Sequence, residues 1–124
     1  MPKQRVAALS KRVNVLTAPT QRHSSLATRH PSLDLKWLLK RLGAENVTSL
    51  LVEGGGEVNA SFLLGGFSQR VSFFYAPKIL GGRDARKAVA GDGAKSLKEV
   101  IEFREIAWRK LGDDLLLAAN VVES

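Results

Sequence analysis

The spacing of apolar positions along the chain predicts three helices. The longest covers Leu33–Leu42, with Ser32 as its N-cap and Gly43 as the residue that ends it. Its apolar positions recur three or four residues apart, at Leu35, Leu38, Leu39 and Leu42. Shorter stretches with the same period predict helices over Arg5–Arg12 and Gly56–Leu64.

Runs of residues with a strand-like composition, between and after the helices, predict strands, and their order predicts a fold class. The runs cover residues 13–17, 47–52, 71–76, 102–109 and 114–122. The run over 47–52 is apolar enough to lie centrally in a sheet. The last two runs predict an antiparallel hairpin across Lys110–Asp113. Helices and strands in this order imply an α/β sheet, parallel at first and with an antiparallel C-terminal edge.

Two further segments are predicted to lack long elements. Residues 21–31 are polar and predict a loop. Residues 81–95 are rich in glycine and charge, and predict a mobile loop, after which Ser96 caps a single helical turn over 97–100.

A glycine turn, which we define as Glu53 to Val58, is the most informative local feature. Here an apolar run ends in Glu53 and is followed by three glycines and then a helical pattern. The first N–H groups of a helix have no partner within it and lie at the positive end of its dipole, so they favour an anion such as a phosphate. A tight turn without a ligand fits equally well, because the spacing is that of neither the Rossmann motif nor the P-loop.

The amino-acid composition argues against several kinds of functional site. At 124 residues the chain holds one domain at most, and it has no cysteine for disulfides, thiolate ligands or nucleophilic catalysis. Its two histidines, His23 and His30, lie in a polar segment without a carboxylate at ligand spacing, so no metal site is predicted. No apolar run reaches the roughly 18 residues that a membrane span requires.

The net charge of +7 is concentrated at the front of the chain. Residues 1–33 hold six of the basic residues and no acid, whereas 13 basic residues face 12 acidic ones from Asp34 onward. The scattered basic positions do not form the stripe expected of a nucleic-acid interface, so that function is disfavoured. The acid-free front also fits a transit peptide, but a predicted strand within it favours a folded segment.

Four segments together resemble one enzyme family, the reductase domain of riboflavin biosynthesis, in its C-terminal half. They are SLDLKWLLKRLGAENVTSLLVEGGGEVNASFL, VSFFYAPKILGG, VAGDGAKSL and WRKLGDDLLLAANVV. The resemblance implies a dihydrofolate-reductase-like mixed α/β sheet. It also implies NADPH-dependent reduction of 5-amino-6-(5-phosphoribosylamino)uracil to its ribityl form. In this family the domain often follows a zinc-dependent deaminase domain.

The resemblance carries over onto the glycine turn residue by residue. Gly54 and Gly55 match the glycine pair at the cofactor pyrophosphate, and Gly56, Glu57 and Val58 follow at the helix start. Glu53 matches the acid beside the substrate, where a carboxylate accepts hydrogen bonds and orients the ligand. No catalytic acid, base or metal ligand is implied, because the cofactor carries the chemistry and the protein positions it.

A second matching motif follows the third strand. Pro77 and Lys78, with the pair Gly81 and Gly82, match the family's APK-x-LGG turn, whose expected role is to shape the exit from the strand. Lys78 facing a phosphate is the alternative. The chain departs from the family at Gln69, where an aspartate is usual.

The resemblance covers residues 32–124 well and 3–31 weakly, so residues 1–124 are expected to form a partial reductase domain without its N-terminal half. Its absence would leave a sheet edge unpaired, which favours a homodimer or pairing with a complementary chain. The expected protein is cytoplasmic, with a small-molecule substrate and no nucleic-acid or membrane partner. A catalytically inactive α/β interaction module is the alternative.

Overall fold

The computed structural model describes residues 3–21 and 32–122. The loop predicted over 21–31 lies outside this part of the chain apart from Gln21, as do His23 and His30. The chain divides after Leu50 into two compact units, which are described separately.

The first unit contains two helices and a short ladder. Its elements are α1 (Lys3–Ser10), β1 (Thr20–Gln21), β2 (Ser32–Leu33) and α2 (Leu35–Ala44). The strands β1 and β2 pair antiparallel, with Thr20 opposite Leu33. Both predicted helices are therefore present, each displaced by about one half-turn from its predicted bounds.

Both caps predicted for α2 are wrong by a few residues. Asp34, not Ser32, is the N-cap: its Oδ1 accepts a hydrogen bond from the backbone N–H of Trp37 at 2.9 Å. Gly43 lies inside the helix, and Asn46, with φ of 62°, is the left-handed residue that ends it. The Val47 N–H donates to the Leu42 carbonyl at 3.1 Å, as in a Schellman motif. Asparagine tolerates the left-handed conformation, and so replaces the predicted glycine.

The second unit combines one helix, a 3₁₀ turn and a three-stranded sheet. Its elements are α3 (Gly56–Leu64), β3 (Arg70–Tyr75), the turn Leu97–Glu99, β4 (Phe103–Leu111) and β5 (Asp114–Val121). The strand order is β3–β5–β4, and both neighbouring pairs are antiparallel. The described residues thus form a small α/β protein with three α-helices and a three-stranded antiparallel sheet.

The predicted C-terminal hairpin is confirmed. Strands β4 and β5 are joined by Gly112 and Asp113, with Leu111 opposite Asp114. Gly112 has φ of 63°, the conformation that a two-residue hairpin loop requires at its first position and that glycine adopts without strain. Strand β4 is interrupted by a bulge between Arg104 and Ala107, where Glu105 has φ of 54°.

Two predicted strands are not formed. Residues 13–17 and 47–52 have no strand structure, and every pairing among the described strands is antiparallel. The parallel part of the predicted sheet is therefore absent from residues 3–21 and 32–122. A strand is stabilised by backbone hydrogen bonds to a neighbouring strand. No described residue forms a backbone hydrogen bond with residues 48–54, and the Leu51 side chain is 80% exposed.

The second unit buries little apolar surface. Of the residues that the structure describes, Ala60 and Phe62 of α3 and Ala119 of β5 are buried. One sheet face carries the cross-strand apolar pairs Val71–Ala119, Phe73–Leu117 and Tyr75–Leu115. Toward the hairpin this face opens to solvent, where Trp108 is 59% exposed and lies 5.9 Å from the ring of Tyr75.

Candidate functional site

The glycine turn begins α3, as the sequence predicts, and Gly55 is its N-cap. Gly55 has φ of 78° and ψ of 174°, a backbone conformation that is essentially restricted to glycine. A Cβ atom built there would meet no atom within 4 Å. The turn therefore requires glycine at this position and leaves open space beside it.

The first turn of α3 presents backbone donors without a side-chain acceptor. Its first intrahelical hydrogen bond runs from the Asn59 N–H to the Gly55 carbonyl at 2.9 Å, so the N–H groups of Gly56, Glu57 and Val58 have no intrahelical partner. Gly55 has no side chain to cap them, and no other described side chain accepts from them. These three donors, at the positive end of the helix dipole, can bind an oxyanion.

The other two glycines are required by protein contacts. A Cβ at Gly54 would lie 2.6 Å from Cγ1 of Val58. A Cβ at Gly56 would fall on the Lys87 carbonyl oxygen and lie 3.1 Å from the Ala90 Cβ. Close approach of a ligand to a bare backbone is therefore possible at Gly55, while protein atoms fill the space beside Gly54 and Gly56.

A segment distant in sequence holds the start of α3. The Ala90 N–H donates to the Gly56 carbonyl at 3.0 Å, and the Asn59 side-chain Nδ2 donates to the Ala88 carbonyl at 2.9 Å. Gly91 comes so close that a Cβ there would lie 3.1 Å from the Ala60 Cβ. The segment over 81–95 has no regular secondary structure, yet its residues 87–91 are fixed against α3.

Sequence reasoning missed Asn59 as a residue that supports the site. The only local signal is its position as a polar residue one turn into the helix. Such a residue needs a partner when it is partly buried. The partner, the Ala88 carbonyl, lies 29 positions away, which local periodicity does not reveal.

Two carboxylates accompany the turn. Glu53 is exposed and makes no ion pair or hydrogen bond with the described residues, so it faces solvent beside Gly54. Glu57 is exposed in the first turn of α3. A negative charge there stabilises the helix through its dipole, but it also opposes the approach of an anion. An anion at these backbone donors would therefore bind against, not with, the local side-chain charge.

The second motif forms a turn after β3. The Lys78 N–H donates to the Ala76 carbonyl at 2.8 Å, and Gly81 and Gly82 have φ of 66° and 101°. Lys78 is exposed, and none of the hydrogen bonds or ion pairs of the described residues joins it to the glycine turn. The turn-shaping role expected of these glycines fits their conformations.

Glu53, Gly54 and Gly55 of the glycine turn are exposed to solvent. A groove of about 270 Å³ is lined by residues 69–70, 104 and 120–121, and one of about 490 Å³ by residues 14–16, 41 and 45. Neither groove includes the glycine turn.

In the part of the chain that the structure describes, no group of three His, Asp or Glu residues is placed to hold a metal, and no helix is long and apolar enough to cross a membrane.

The described fold and turn define a small α/β protein whose candidate site is the N-terminus of a helix. The family model for the RibD C-terminal domain matches residues 3–117. The chain therefore belongs to the RibD C-terminal domain family.

Named relatives agree with this family. The 2,5-diamino-6-ribosylamino-4(3H)-pyrimidinone 5′-phosphate reductase of Methanothermobacter thermautotrophicus is 38% identical over 120 residues, which are 97% of this chain and 51% of the relative. The riboflavin biosynthesis protein RibD of Actinobacillus pleuropneumoniae is 35% identical over 76% of this chain and 25% of its own length. That of Bacillus amyloliquefaciens is 30% identical over 94% and 28%. The chain thus spans about half of the archaeal reductase and about a quarter of each RibD protein.

Proposed function

We propose that this chain is the C-terminal, cofactor-binding part of an NADPH-dependent reductase domain of riboflavin biosynthesis. The observation that carries the proposal is the uncapped start of α3 at Gly55, within a chain whose relatives are named as reductases of this pathway's intermediates. The substrate is 5-amino-6-(5-phosphoribosylamino)uracil, whose ribosyl group is reduced to the ribityl form.

The residues present fit the pyrophosphate of a dinucleotide. The backbone donors of Gly56, Glu57 and Val58, with the open space at Gly55, would hold its phosphate oxygens. Glu53, solvent-facing at the entrance to the turn, would accept hydrogen bonds from the substrate and orient it. The cofactor supplies the hydride, and the protein contributes binding, orientation and exclusion of water.

The name of the archaeal relative suggests a second candidate substrate for this chain. That relative is named for a 2,5-diaminopyrimidinone that carries the same ribosylamino phosphate, and it is 38% identical to this chain. The two candidates share the sugar that is reduced and differ in one substituent of the pyrimidine ring. Turnover measured with each compound in turn distinguishes them.

A complete site requires more polypeptide than the described residues provide. In the proposal the dihydrofolate-reductase-like sheet is completed by further chain, and the apolar run over 47–52 becomes a strand when a neighbouring strand pairs with it. The exposed Leu51 and the unpaired backbone of residues 48–54 support this step. The alternative, an inactive α/β interaction module, needs no such completion.

The test is NADPH binding followed by turnover. Calorimetric titration of the 124-residue chain with NADPH should give micromolar binding. NADPH oxidation with either substrate should appear when the chain is mixed with the portion of the Methanothermobacter reductase that it does not match. NADPH binding without substrate turnover in that mixture would contradict the reductase proposal. Absence of both binding and turnover would favour the inactive interaction module.

A further inference from the structure

Two arginines flank one asparagine at one end of the sheet in the second unit. Arg70 on β3 and Arg104 on β4 are both paired in register with Asn120 on the central strand β5. Residues directly opposite each other in an antiparallel sheet share a face, so the three residues form one row across it, which we call the arginine row. Neighbouring strands lie about 4.8 Å apart, which places the Cα atoms of the two arginines roughly 10 Å from each other.

A groove follows the arginine row. Its volume is about 270 Å³, and it is lined by Gln69, Arg70, Arg104, Asn120 and Val121. Pockets that hold drug-sized ligands have volumes of roughly 300–1,000 Å³. The groove is therefore suited to a small ionic group and not to a dinucleotide.

The two guanidinium groups of the row have no partner among the described residues. No ion pair or side-chain hydrogen bond joins Arg70 or Arg104 to any of them. Both arginines are exposed. A guanidinium presents its N–H donors as a planar fork that fits the oxygens of a carboxylate or phosphate. The groove is thus bordered by two positive charges whose donors are available to a ligand.

A bulge in β4 brings a carboxylate to the centre of the arginine row. Glu105, in the bulge, has φ of 54°, and its carboxylate accepts a hydrogen bond from the Asn120 side-chain amide. Bulges redirect side chains and are frequent beside functional sites. The negative charge of Glu105 opposes an anion in the groove, but the two arginines outnumber it. Glu102, two residues before Arg104, does not line the groove and forms no ion pair with the row.

We propose that the arginine row binds a phosphate-class oxyanion, either the free ion or the phosphate group of a larger molecule. Two planar forks that border one space match the several oxygens of a phosphate better than the two oxygens of a carboxylate. Because both arginines are exposed, salt screens their attraction for the anion. We therefore expect a dissociation constant on the order of 1 mM. This site is distinct from the glycine turn and does not rest on the proposed reductase function.

The test is a titration of the isotope-labelled 124-residue chain with inorganic phosphate, followed by amide NMR, with chloride keeping the ionic strength at about 0.1 M. Saturable shifts at the amides of Arg104, Glu105, Asn120 and Val121 would support the proposal. Methyl phosphate distinguishes the two sources of the anion. Similar affinity for this ester indicates the phosphate of a larger molecule, and lost affinity indicates the free ion. Shifts confined to the amides of residues 56–58, or shifts that do not saturate, would overturn the arginine-row proposal without contradicting the reductase proposal.

Arginine variants locate the binding charge. Arg70→Gln and Arg104→Gln should each weaken phosphate binding by at least about tenfold, because each removes one fork. Arg109→Gln is the matched control, since Arg109 is an exposed arginine on the same face of β4 but lies opposite Leu116, about 13 Å along β5 from Asn120. That distance exceeds the screening length of roughly 10 Å, so the control should change the affinity less than about twofold. Equal weakening in all three variants would overturn the proposal.

A fourth variant tests the site by strengthening it. Glu105→Gln keeps an acceptor for the Asn120 amide and removes the negative charge, so it should increase the affinity for phosphate severalfold. A gain in affinity cannot arise from misfolding, and the amide spectrum verifies the fold of each variant. Unchanged or weaker phosphate binding in Glu105→Gln would overturn the proposal.

Discussion

Replacement of Gly55 by valine separates the conformational role of the glycine turn from its proposed role in binding. Gly55 lies at φ of 78° and ψ of 174°, where a residue with a Cβ costs on the order of 1–3 kcal/mol. No atom lies within 4 Å of the Cβ position, so the substitution adds backbone strain without a clash. We therefore expect Gly55→Val to lower the free energy of unfolding by about 1–3 kcal/mol.

The expected effect on NADPH binding is larger. The valine side chain would enter the open space through which, in the proposed function, a phosphate would reach the backbone donors of α3. A hydrogen bond to a charged acceptor contributes about 1.5–3 kcal/mol. Loss of two of them therefore weakens binding by roughly 100-fold or more. Calorimetry measures the affinity, and urea unfolding measures stability in the same preparation.

Gly66→Val is the matched control at the other end of α3. Gly66 also has a positive φ, of 70°, and a Cβ there also meets nothing within 4 Å. The control should therefore lose similar stability and keep its affinity for NADPH. Unchanged binding in Gly55→Val would refute the assignment of the pyrophosphate to this turn. Equal loss in both variants would show that binding follows the stability of the helix and not the turn.

Three further substitutions test the surroundings of the turn. Glu57→Gln removes a negative charge from the first turn of α3 and should strengthen NADPH binding severalfold at low salt, as measured by calorimetry. Glu53→Gln should lower turnover of the completed enzyme more than it lowers cofactor affinity, as steady-state kinetics would show. Asn59→Ala removes the hydrogen bond to the Ala88 carbonyl, and should cost about 1 kcal/mol and speed hydrogen exchange at the Ala90 amide.

Each of these predictions has an outcome that contradicts it. Weaker NADPH binding in Glu57→Gln would indicate that the Glu57 carboxylate accepts a hydrogen bond from a donor group of the ligand. Unchanged turnover in Glu53→Gln would exclude a substrate-orienting role for Glu53. If the Ala90 amide remains protected from hydrogen exchange in Asn59→Ala, the hydrogen bond from Ala90 to the Gly56 carbonyl holds residues 87–91 against α3 without help from Asn59.

Local features of the fold were predictable from the sequence. The hairpin is confirmed because its signals, two strand-like segments and a glycine in the loop, lie within a few residues of each other. The start of α3 is confirmed for the same reason. The caps of α2 were predicted at the wrong residues because the sequence offers several suitable residues near each end of the helix. The structure uses Asp34 in place of Ser32 and Asn46 in place of Gly43.

Features that depend on distant residues were not predictable. The run over 47–52 has a strand-like composition, but a strand needs a neighbour, and none is present among the described residues. Likewise, the sequence places three glycines at the turn without distinguishing them. Only the positions of Val58, Lys87 and Ala90 show that Gly55 alone has free space beside it.

The contact between Asn59 and Ala88 also bears on the order in which the second unit acquires its structure. Closing a loop of about 30 residues costs roughly 3 kcal/mol of chain entropy, which one or two hydrogen bonds scarcely offset. The hairpin and the first turns of α3 need only local contacts and should form early. The arrangement around Gly56 is therefore expected late in folding, so a ligand that requires it would act as a reporter of the final step.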